Sequence, residues 1–304
     1  MYSPDNVPAA LLGKGTSTSR LIRGSSLCGW TTFSADYCAF TGAEREALIR
    51  ELIRPLVDRV LGRIGVVTGR LSDLAEIDGL ITRLRPVQAP TGLLRLGPDA
   101  DGGYLVPDDL DGIAALFSPG VGPVSGFEAA CADRGMRVFM ADGSVDGPAQ
   151  PHPSFEFVKR FLGPTTTERT MTLDDWVNST TVASGLDPDG DLLLQMDIEG
   201  AEWGVISAAS SAVLRRCRVI VLEVHHLDLL LQRTALDILG TFFDRLLEHH
   251  ECVHIHPNNA CRMVNVSGRS IPQVAEFTFL RRDRFGGVGP VPVERLPHEL
   301  DAAN

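Results

Sequence analysis

The chain has 304 residues, enough for one large α/β domain with an appendage and for a sizeable core. Hydrophobic residues make up 44% and charged residues 22%, which excludes a wholly disordered or fibrous chain. The formal charge of −11 disfavours general binding to nucleic acid or anionic membranes, so a small molecule is the expected partner.

Residues 1–42 are rich in Gly, Ser, Thr and Pro with scattered aromatic residues, a composition typical of irregular structure. We interpret this segment as an irregular arm or a lid over a pocket. The start of the chain lacks a basic stretch followed by an apolar run, and no stretch of about 18 uninterrupted apolar residues occurs. These observations predict a cytoplasmic protein without a membrane partner.

Residues 43–90 are predicted to form a helical segment, because apolar residues recur at alternating spacings of four and three. These residues are Ile53, Val57, Val60, Ile64, Val67, Leu71 and Leu74. The apolar stripe favours either docking on the chain's own domain or an oligomer contact, and a homo-oligomer is among the expected partners. Because glycine weakens helices, we expect a break near Gly65 or Gly69.

Residues 91–285 alternate short apolar runs with helical stretches and polar turns. Their near-continuous apolarity is typical of strands covered on both faces, so they predict a parallel sheet built from βαβ units. The runs lie at residues 113–118, 136–141, 191–196, 218–224, 252–256 and 276–282. The last run alternates polar and apolar residues and is predicted to be antiparallel. Residues 286–304 contain too many Gly and Pro residues for a packed element and predict a flexible tail.

A glycine-rich turn joins the first run to a helical pattern over residues 118–128. Backbone N–H groups at such a turn can face a phosphate or carboxylate. Asp142 ends the next strand, 20 residues beyond Gly122, where a carboxylate can bind the ribose hydroxyls of a nucleoside. The pattern predicts a nucleoside cofactor; a dinucleotide, S-adenosylmethionine and a plain turn with a surface Asp remain open at this point.

Three carboxylates follow the fourth candidate strand, at Asp197, Glu199 and Glu202. This segment, MDIEGAEW, resembles the DxEGAE signature of FkbM-type S-adenosylmethionine-dependent methyltransferases. The resemblance extends through Asp101-Gly102-Gly103-Tyr104, the glycine turn, and residues 172–175 and 254–259. It covers about residues 91–285 and leaves everything before residue 90 outside the similarity.

The resemblance implies a class I methyltransferase fold, which is a Rossmann-like doubly wound sheet of about seven strands with the last one antiparallel. It also implies transfer of a methyl group from S-adenosylmethionine to a hydroxyl of a sugar or secondary metabolite. The residues expected at the cofactor are Asp101, Gly102, Gly103, Tyr104, Gly120, Gly122, Asp142 and Asp197. The chain departs from the pattern at Ser118-Pro119, where an acidic residue often precedes the glycines.

Methyl transfer to a hydroxyl requires the acceptor to be oriented and its proton removed. We expect Asp197, Glu199 and His225 at the reacting atoms, with His225 as the general base. The alternative is a divalent cation such as Mg²⁺ held by Asp197, Glu223 and His254, which would lower the pKa of the acceptor hydroxyl. Two other functions stay open: an NAD-dependent or nucleotide-sugar oxidoreductase, and a non-catalytic methyltransferase-like binding module.

Overall fold

A computed structural model of the chain describes residues 49–63, 69–287 and 289–304. The chain divides into two compact units, residues 1–68 and 69–304. The predicted arm over residues 1–42 lies outside the described residues. In the described part of the chain, no helix is both long and apolar enough to cross a membrane.

The described part of the first unit is a helix with an exposed apolar side. A π-helical turn at Ile49–Ile53 runs into helix α1, Arg54–Gly62. Pro55 has no backbone N–H, and it is tolerated in the first turn of α1 because the N–H groups of a first turn have no acceptor within the same helix. No residue of α1 is buried, and Val60 is among its exposed apolar side chains.

The second unit alternates strands and helices. Its strands are β1 (Leu93–Leu96), β2 (Tyr104–Pro107), β3 (Ala115–Pro119), β4 (Arg137–Ala141), β5 (Phe155–Val158), β6 (Phe161–Leu162), β7 (Thr170–Met171), β8 (Leu192–Met196), β9 (Cys217–Val224), β10 (His250–Pro257), β11 (Met263–Val266), β12 (Arg269–Pro272) and β13 (Ala275–Arg281). Its α-helices are α2 (Leu74–Arg83), α3 (Gly126–Ala132), α4 (Leu173–Ser184), α5 (Glu202–Ala208), α6 (Ser211–Arg216) and α7 (Arg233–Leu247). Short 3₁₀ helices occupy Leu227–Leu231 and Arg282–Phe285.

Seven strands form one sheet in the order β10-β13-β9-β8-β3-β4-β5. The pairs from β9 through to β5 are parallel, and β13 is antiparallel to both of its neighbours. The mostly parallel seven-stranded sheet with an antiparallel last strand is therefore confirmed. From β3 the chain proceeds to one side through β4 and β5, and it then crosses to β8 on the other side. Ligands of open α/β sheets bind where the strand order reverses in this way.

Both faces of the sheet are covered, which explains why its central strands are apolar throughout. One face packs against α2 and α4 to α7, and the ring of Phe117 meets Trp176 of α4 at a centroid distance of 4.9 Å. The other face packs against α3 and the β1–β2 hairpin, where Phe127 and Tyr104 are buried. The carboxyl ends of the parallel strands remain uncovered by these helices.

The tail runs back along the domain. Val293 N–H donates to the Pro86 carbonyl at 2.9 Å, and Asp301 Oδ1 lies 2.9 Å from Nε2 of His254. The side-chain amide of Asn304 donates to Glu276 at 2.6 Å. Flexibility of residues 286–304 stays a prediction, but these contacts give the segment a defined position beside β10 and β13.

The buried His250 predicts a loss of stability in mild acid. Its Nε2 lies 2.7 Å from the carbonyl oxygen of Cys217, and burial lowers its pKa to about 4. The unfolded chain, with a His pKa near 6.5, binds the additional proton first. Stability should therefore be full above about pH 6.5 and fall by up to about 3 kcal/mol toward pH 4, as measured by urea unfolding.

The matched variants are H250Q and H152Q. His250→Gln keeps a donor for the carbonyl of Cys217 but cannot titrate, so its stability should depend less steeply on pH between 6.5 and 4. His152 is only partly buried, and replacing it should leave the slope unchanged. If the stability of His250→Gln depends on pH as steeply as that of the wild-type protein, His250 is not the cause of the loss of stability in acid.

Candidate active site

The glycine turn after β3 runs directly against the end of β8. Gly120 has φ +92°, and a Cβ at this position would lie 1.7 Å from the backbone oxygen of Asp197. Only glycine fits there, because both the backbone conformation and the space exclude a side chain. A Cβ added at Gly122 would meet no atom within 4 Å, so the turn is open on the side that faces the cleft.

Asp142 is fixed at the end of β4. Its Oδ2 accepts the N–H of Val121 at 3.0 Å, and its Oδ1 accepts the N–H and hydroxyl of Ser144 at 2.6 Å each. Partial burial raises the pKa of Asp142, but the hydrogen bonds from Ser144 and Val121 lower it by more. The carboxylate is therefore ionised and immobilised on the rim.

A cleft of about 540 Å³ opens between the glycine turn, Asp142 and the end of β8. Gly120, Gly122, Asp142, Asp197 and Glu199 all line it, so the structure brings these five predicted residues together. The far wall comes from the short β6–β7 pair, with Phe161, Leu162 and Thr170. Sequence reasoning missed this wall because two-residue strands leave no periodic signal.

The MDIEGAE loop folds around the carboxylate of Glu202, which is fully buried. Its Oε1 accepts the N–H groups of Ile198 at 2.9 Å and Gly200 at 3.2 Å. Glu199, between them, has φ +57°, a conformation that non-glycine residues rarely adopt. The loop thereby directs the exposed carboxylate of Glu199 toward Asp197. Sequence reasoning gave Glu202 no role in the site.

His225 follows β9 and lies among three carboxylates. Its Nδ1 is 3.3 Å from Oε1 of Glu202, and its Nε2 is 3.4 Å from Glu199 and 3.9 Å from Asp197. Its carbonyl accepts the indole N–H of Trp203 at 2.9 Å. Burial lowers the pKa of His225, but Glu202, Asp197 and Glu223 raise it by more, to about 9, so the ring is protonated at neutral pH.

Asp197 and Glu223 form a pair of buried acids beside that imidazole. Burial, followed by the charge of Glu223, raises the pKa of Asp197 well above its usual range. Burial also raises the pKa of Glu223, whose Oε1 accepts the amide of Asn258 at 3.0 Å. Oδ1 of Asp197 is buried without a hydrogen-bond partner among the described residues.

His254 does not join this group. The antiparallel strand β13 lies between β9 and β10, so His254 on β10 is three strands away from β8, and its Nε2 contacts Asp301 instead. The predicted metal set of Asp197, Glu223 and His254 is therefore not brought together. Within the described part of the chain, the cluster whose ligand atoms lie within 4.8 Å of one another is Asp197, Glu199 and His225.

The predicted cofactor residues Asp101–Tyr104 lie at the turn and second strand of the β1–β2 hairpin and are not among the residues that line the cleft. Gly102 has φ +81°, and a Cβ at Gly103 would lie 2.0 Å from the carbonyl oxygen of Pro98, so both glycines are required for the turn. Burial raises the pKa of Tyr104, and the next largest cause is the charge of Asp197. The charge of Asp101 contributes to the raised pKa of Glu223.

A buried polar cluster joins Ser118, before the glycine turn, to helix α3. Oγ of Ser118 lies 2.7 Å from Oε1 of Glu128 and 2.7 Å from Oε1 of Gln195. All three side chains are buried, and burial raises the pKa of Glu128. This contact ties the helix after the glycine turn to β3 and β8 beneath the cleft.

Residues 113–251 match a family model described as the methyltransferase FkbM domain. The match runs from just before β3 into β10 and includes the glycine turn, Asp142, the MDIEGAE loop and His225. The resemblance predicted from the sequence is thus confirmed over residues 113–251, which match the model of the FkbM methyltransferase domain.

A search of curated proteins found no match. One similar solved structure is described as "Conversion of a Disulfide Bond into a Thioacetal Group during Echinomycin Biosynthesis". It is 13% identical, with a TM-score of 0.22, and the similarity covers 75% of this chain and 92% of that chain.

Replacing each glycine of the turn with alanine should change the free energy of unfolding by very different amounts. Gly120→Ala should lower the free energy of unfolding by about 2 kcal/mol or more, because the added methyl group meets the backbone of Asp197 and the positive φ is strained. Gly122→Ala has free space and should change stability by less than about 0.5 kcal/mol. Urea unfolding of both variants measures this, and equal stability of the two would contradict the close approach of the turn to β8.

Proposed function

We propose that the chain is an S-adenosylmethionine-dependent O-methyltransferase with a class I, Rossmann-like, doubly wound fold. The observation that carries the proposal is the cleft of the FkbM domain, which has Asp142 on one rim and the unpartnered carboxylate oxygen of Asp197 on the other. The central reversal of strand order and the antiparallel β13 support the fold class. An oxidoreductase is disfavoured by the family match.

The residues present fit S-adenosylmethionine. Gly120 and Gly122 would pass beneath the cofactor, where the absence of side chains admits it, and Asp142 would accept the ribose hydroxyls. Asp101 and Tyr104, with the glycines between them, would lie at its amino-acid end. Oδ1 of Asp197 is a buried acceptor without a partner among the described residues, which suits a neighbouring positive charge. The cofactor, when bound, supplies an activated methyl group on a sulfonium.

Asp197 is the best-placed proton acceptor. Asp197 lines the cleft, and its buried Oδ1 forms no hydrogen bond to the described residues, so an acceptor hydroxyl that reaches this atom can donate to it. His225 is already protonated between Glu199 and Glu202, and its role is to orient Asp197 and balance the local negative charge. The general base proposed from the sequence therefore moves from His225 to Asp197.

A metal-assisted route is the second candidate, and the cluster of Asp197, Glu199 and His225 favours it. Glu202 lies 3.3 Å from Nδ1 of His225, so in a neutral imidazole Nε2 is left as the ligand atom, as in metal sites where a carboxylate orients the histidine. A divalent cation such as Mg²⁺ would lower the pKa of the acceptor hydroxyl. The residues on this chain would supply two carboxylates and one imidazole.

The proposed acceptor is the hydroxyl of a sugar or secondary metabolite, used by a cytoplasmic enzyme. The exposed apolar side chains of α1 and of the turn before it, Ile53, Val57 and Val60, support a homo-oligomer. Neither nucleic acid nor membrane is a proposed partner, in keeping with the net negative charge.

Replacing Asp142 should weaken cofactor binding. Asp142→Asn removes the ionised acceptor for the ribose hydroxyls, and we expect about a tenfold loss of affinity for S-adenosylmethionine in calorimetry. The control is Asp146→Asn, since Asp146 is exposed and pairs with Lys159. If D142N and the wild-type protein bind S-adenosylmethionine with equal affinity, Asp142 does not contact the cofactor. If the protein binds NAD in place of S-adenosylmethionine, the proposed identity of the cofactor is wrong.

The same protein should add one methyl group to an acceptor in an extract of its source cells, which mass spectrometry detects. A non-catalytic binding module would bind S-adenosylmethionine without this mass gain. Such a result would overturn the enzymatic role but leave the cofactor site intact.

The metal candidate makes a separate prediction for ligand binding. Mn²⁺ or Mg²⁺ titrated into the metal-free protein should release or absorb heat, and E199Q and H225Q should each weaken that binding about tenfold or more. His256→Gln is the matched control because His256 contacts the tail rather than the cluster. A heat signal that is the same in all variants, or absent in the wild-type protein, would exclude a cation at this cluster.

A further inference from the structure

A second cavity lies beside the site on the helix-covered face of the sheet. It measures about 190 Å³ and is separate from the cofactor cleft. Its walls come from α2, α7, the 3₁₀ helix after His226, and strands β10, β12 and β13. Leu84, Leu230, Phe243, Ile255, Ile271 and Phe277 are typical of its lining, and Ser270 supplies a hydroxyl.

The side chains that line this cavity are apolar except for the hydroxyl of Ser270. An apolar cavity of roughly 150 Å³ stays dry and binds benzene. Ile81, one of the lining residues, is 47% exposed, so the cavity is reached from the surface. A cavity of this size suits a small apolar group, whereas a stable protein interface buries on the order of 1,000 Å² or more.

The cavity shares its chain segments with the candidate active site. Val224 of β9 pairs with Ala275 of β13, which pairs with Pro257 of β10, so the three residues form one row across the sheet. Ala275 and Pro257 line the cavity, and Val224 directly precedes His225. With strands about 4.8 Å apart, the cavity wall lies roughly 5–10 Å from the strand end that carries His225.

Two further connections join cavity and site. Asn258 follows Pro257 in the chain and donates its amide to Glu223, which lies beside Asp197. Leu227 lines the cavity two residues after His225. A group placed in this cavity would therefore touch the same segments that hold the reacting carboxylates.

We propose that this cavity binds an apolar end of the methyl acceptor. The inference rests on the proposed function and narrows its substrate class to an elongated amphiphile. The hydroxyl would lie at Asp197, and an aliphatic or aromatic end of about six carbons would lie roughly 10–15 Å away, two to three strand spacings across the sheet. The hairpin β11–β12, which contributes Ser270, Ile271 and Pro272 to the lining, would then select the length and shape of that end.

The test uses 1-hexanol as the probe and 1,6-hexanediol as its polar counterpart of equal length, both titrated into the full chain and followed by methyl NMR. Hexanol should bind at least about tenfold more tightly than the diol, because moving the second hydroxyl from water to a mostly apolar lining costs free energy. Ile81→Trp should narrow the mouth and weaken hexanol binding about tenfold. Ile238→Trp, at a 54% exposed position of α7 outside the lining, should have no effect.

Calorimetry with S-adenosylmethionine on the same samples separates the two proposals. We expect I81W to bind S-adenosylmethionine like the wild-type protein, and saturating hexanol to inhibit methylation of the acceptor in the cell extract. Cofactor binding without hexanol binding would overturn the inference and leave the proposed function in place. Hexanol binding without cofactor binding, or methylation unaffected by hexanol, would overturn the role of the cavity in acceptor recognition.

Discussion

The buried carboxylate of Glu202 is the contact on which the geometry of the site depends. It accepts two backbone N–H groups of its own loop and lies beside Nδ1 of His225. A carboxylate withdrawn from water is costly unless such donors surround it. The loop conformation, with Glu199 at positive φ, is therefore held by the same group that orients the imidazole. Removing this carboxylate would release the loop and the histidine together.

The carboxyl groups on the two sides of the cleft differ in pKa because their surroundings differ. Asp142 is ionised, because hydrogen bonds from the glycine turn and Ser144 stabilise its charged form. Burial, followed by neighbouring charges, raises the pKa of both Asp197 and Glu223, and the pKa of Asp197 rises to about 7. Asp197 can therefore both accept and release a proton near neutral pH. Carboxyl groups of one chemical type are thus given different roles by their surroundings, one suited to binding hydroxyls and the other to exchanging a proton.

The sequence was sufficient for the parts of the structure that depend on continuous burial. The apolar runs that became β3, β4, β8 and β9 are covered on both faces, so their composition alone indicates a parallel sheet. The strand order was not accessible in the same way. His254 was expected near Asp197 because both follow or end apolar runs, yet no local pattern reports that β13 inserts between β9 and β10.

Glu202 and the β6–β7 wall were missed for related reasons. A buried glutamate at a helix start has the same local sequence as a solvated one, and only the fold determines which it is. The MDIEGAE segment was informative because its resemblance to a family carried tertiary information that periodicity lacks. The cleft could be located from sequence, whereas its charges and its far wall required the folded chain.

The insertion of β13 also constrains how the protein is synthesised. Strands β9 and β10 are not neighbours, and each exposes an unpaired edge until residues 275–281 are available to fill the gap between them. A nascent chain leaving the ribosome therefore carries an open edge on β9 and an unpaired strand β10 until β13 is made, and such edges are prone to pairing with other chains. High-yield production should accordingly benefit from chaperones that shield these edges before β13 emerges.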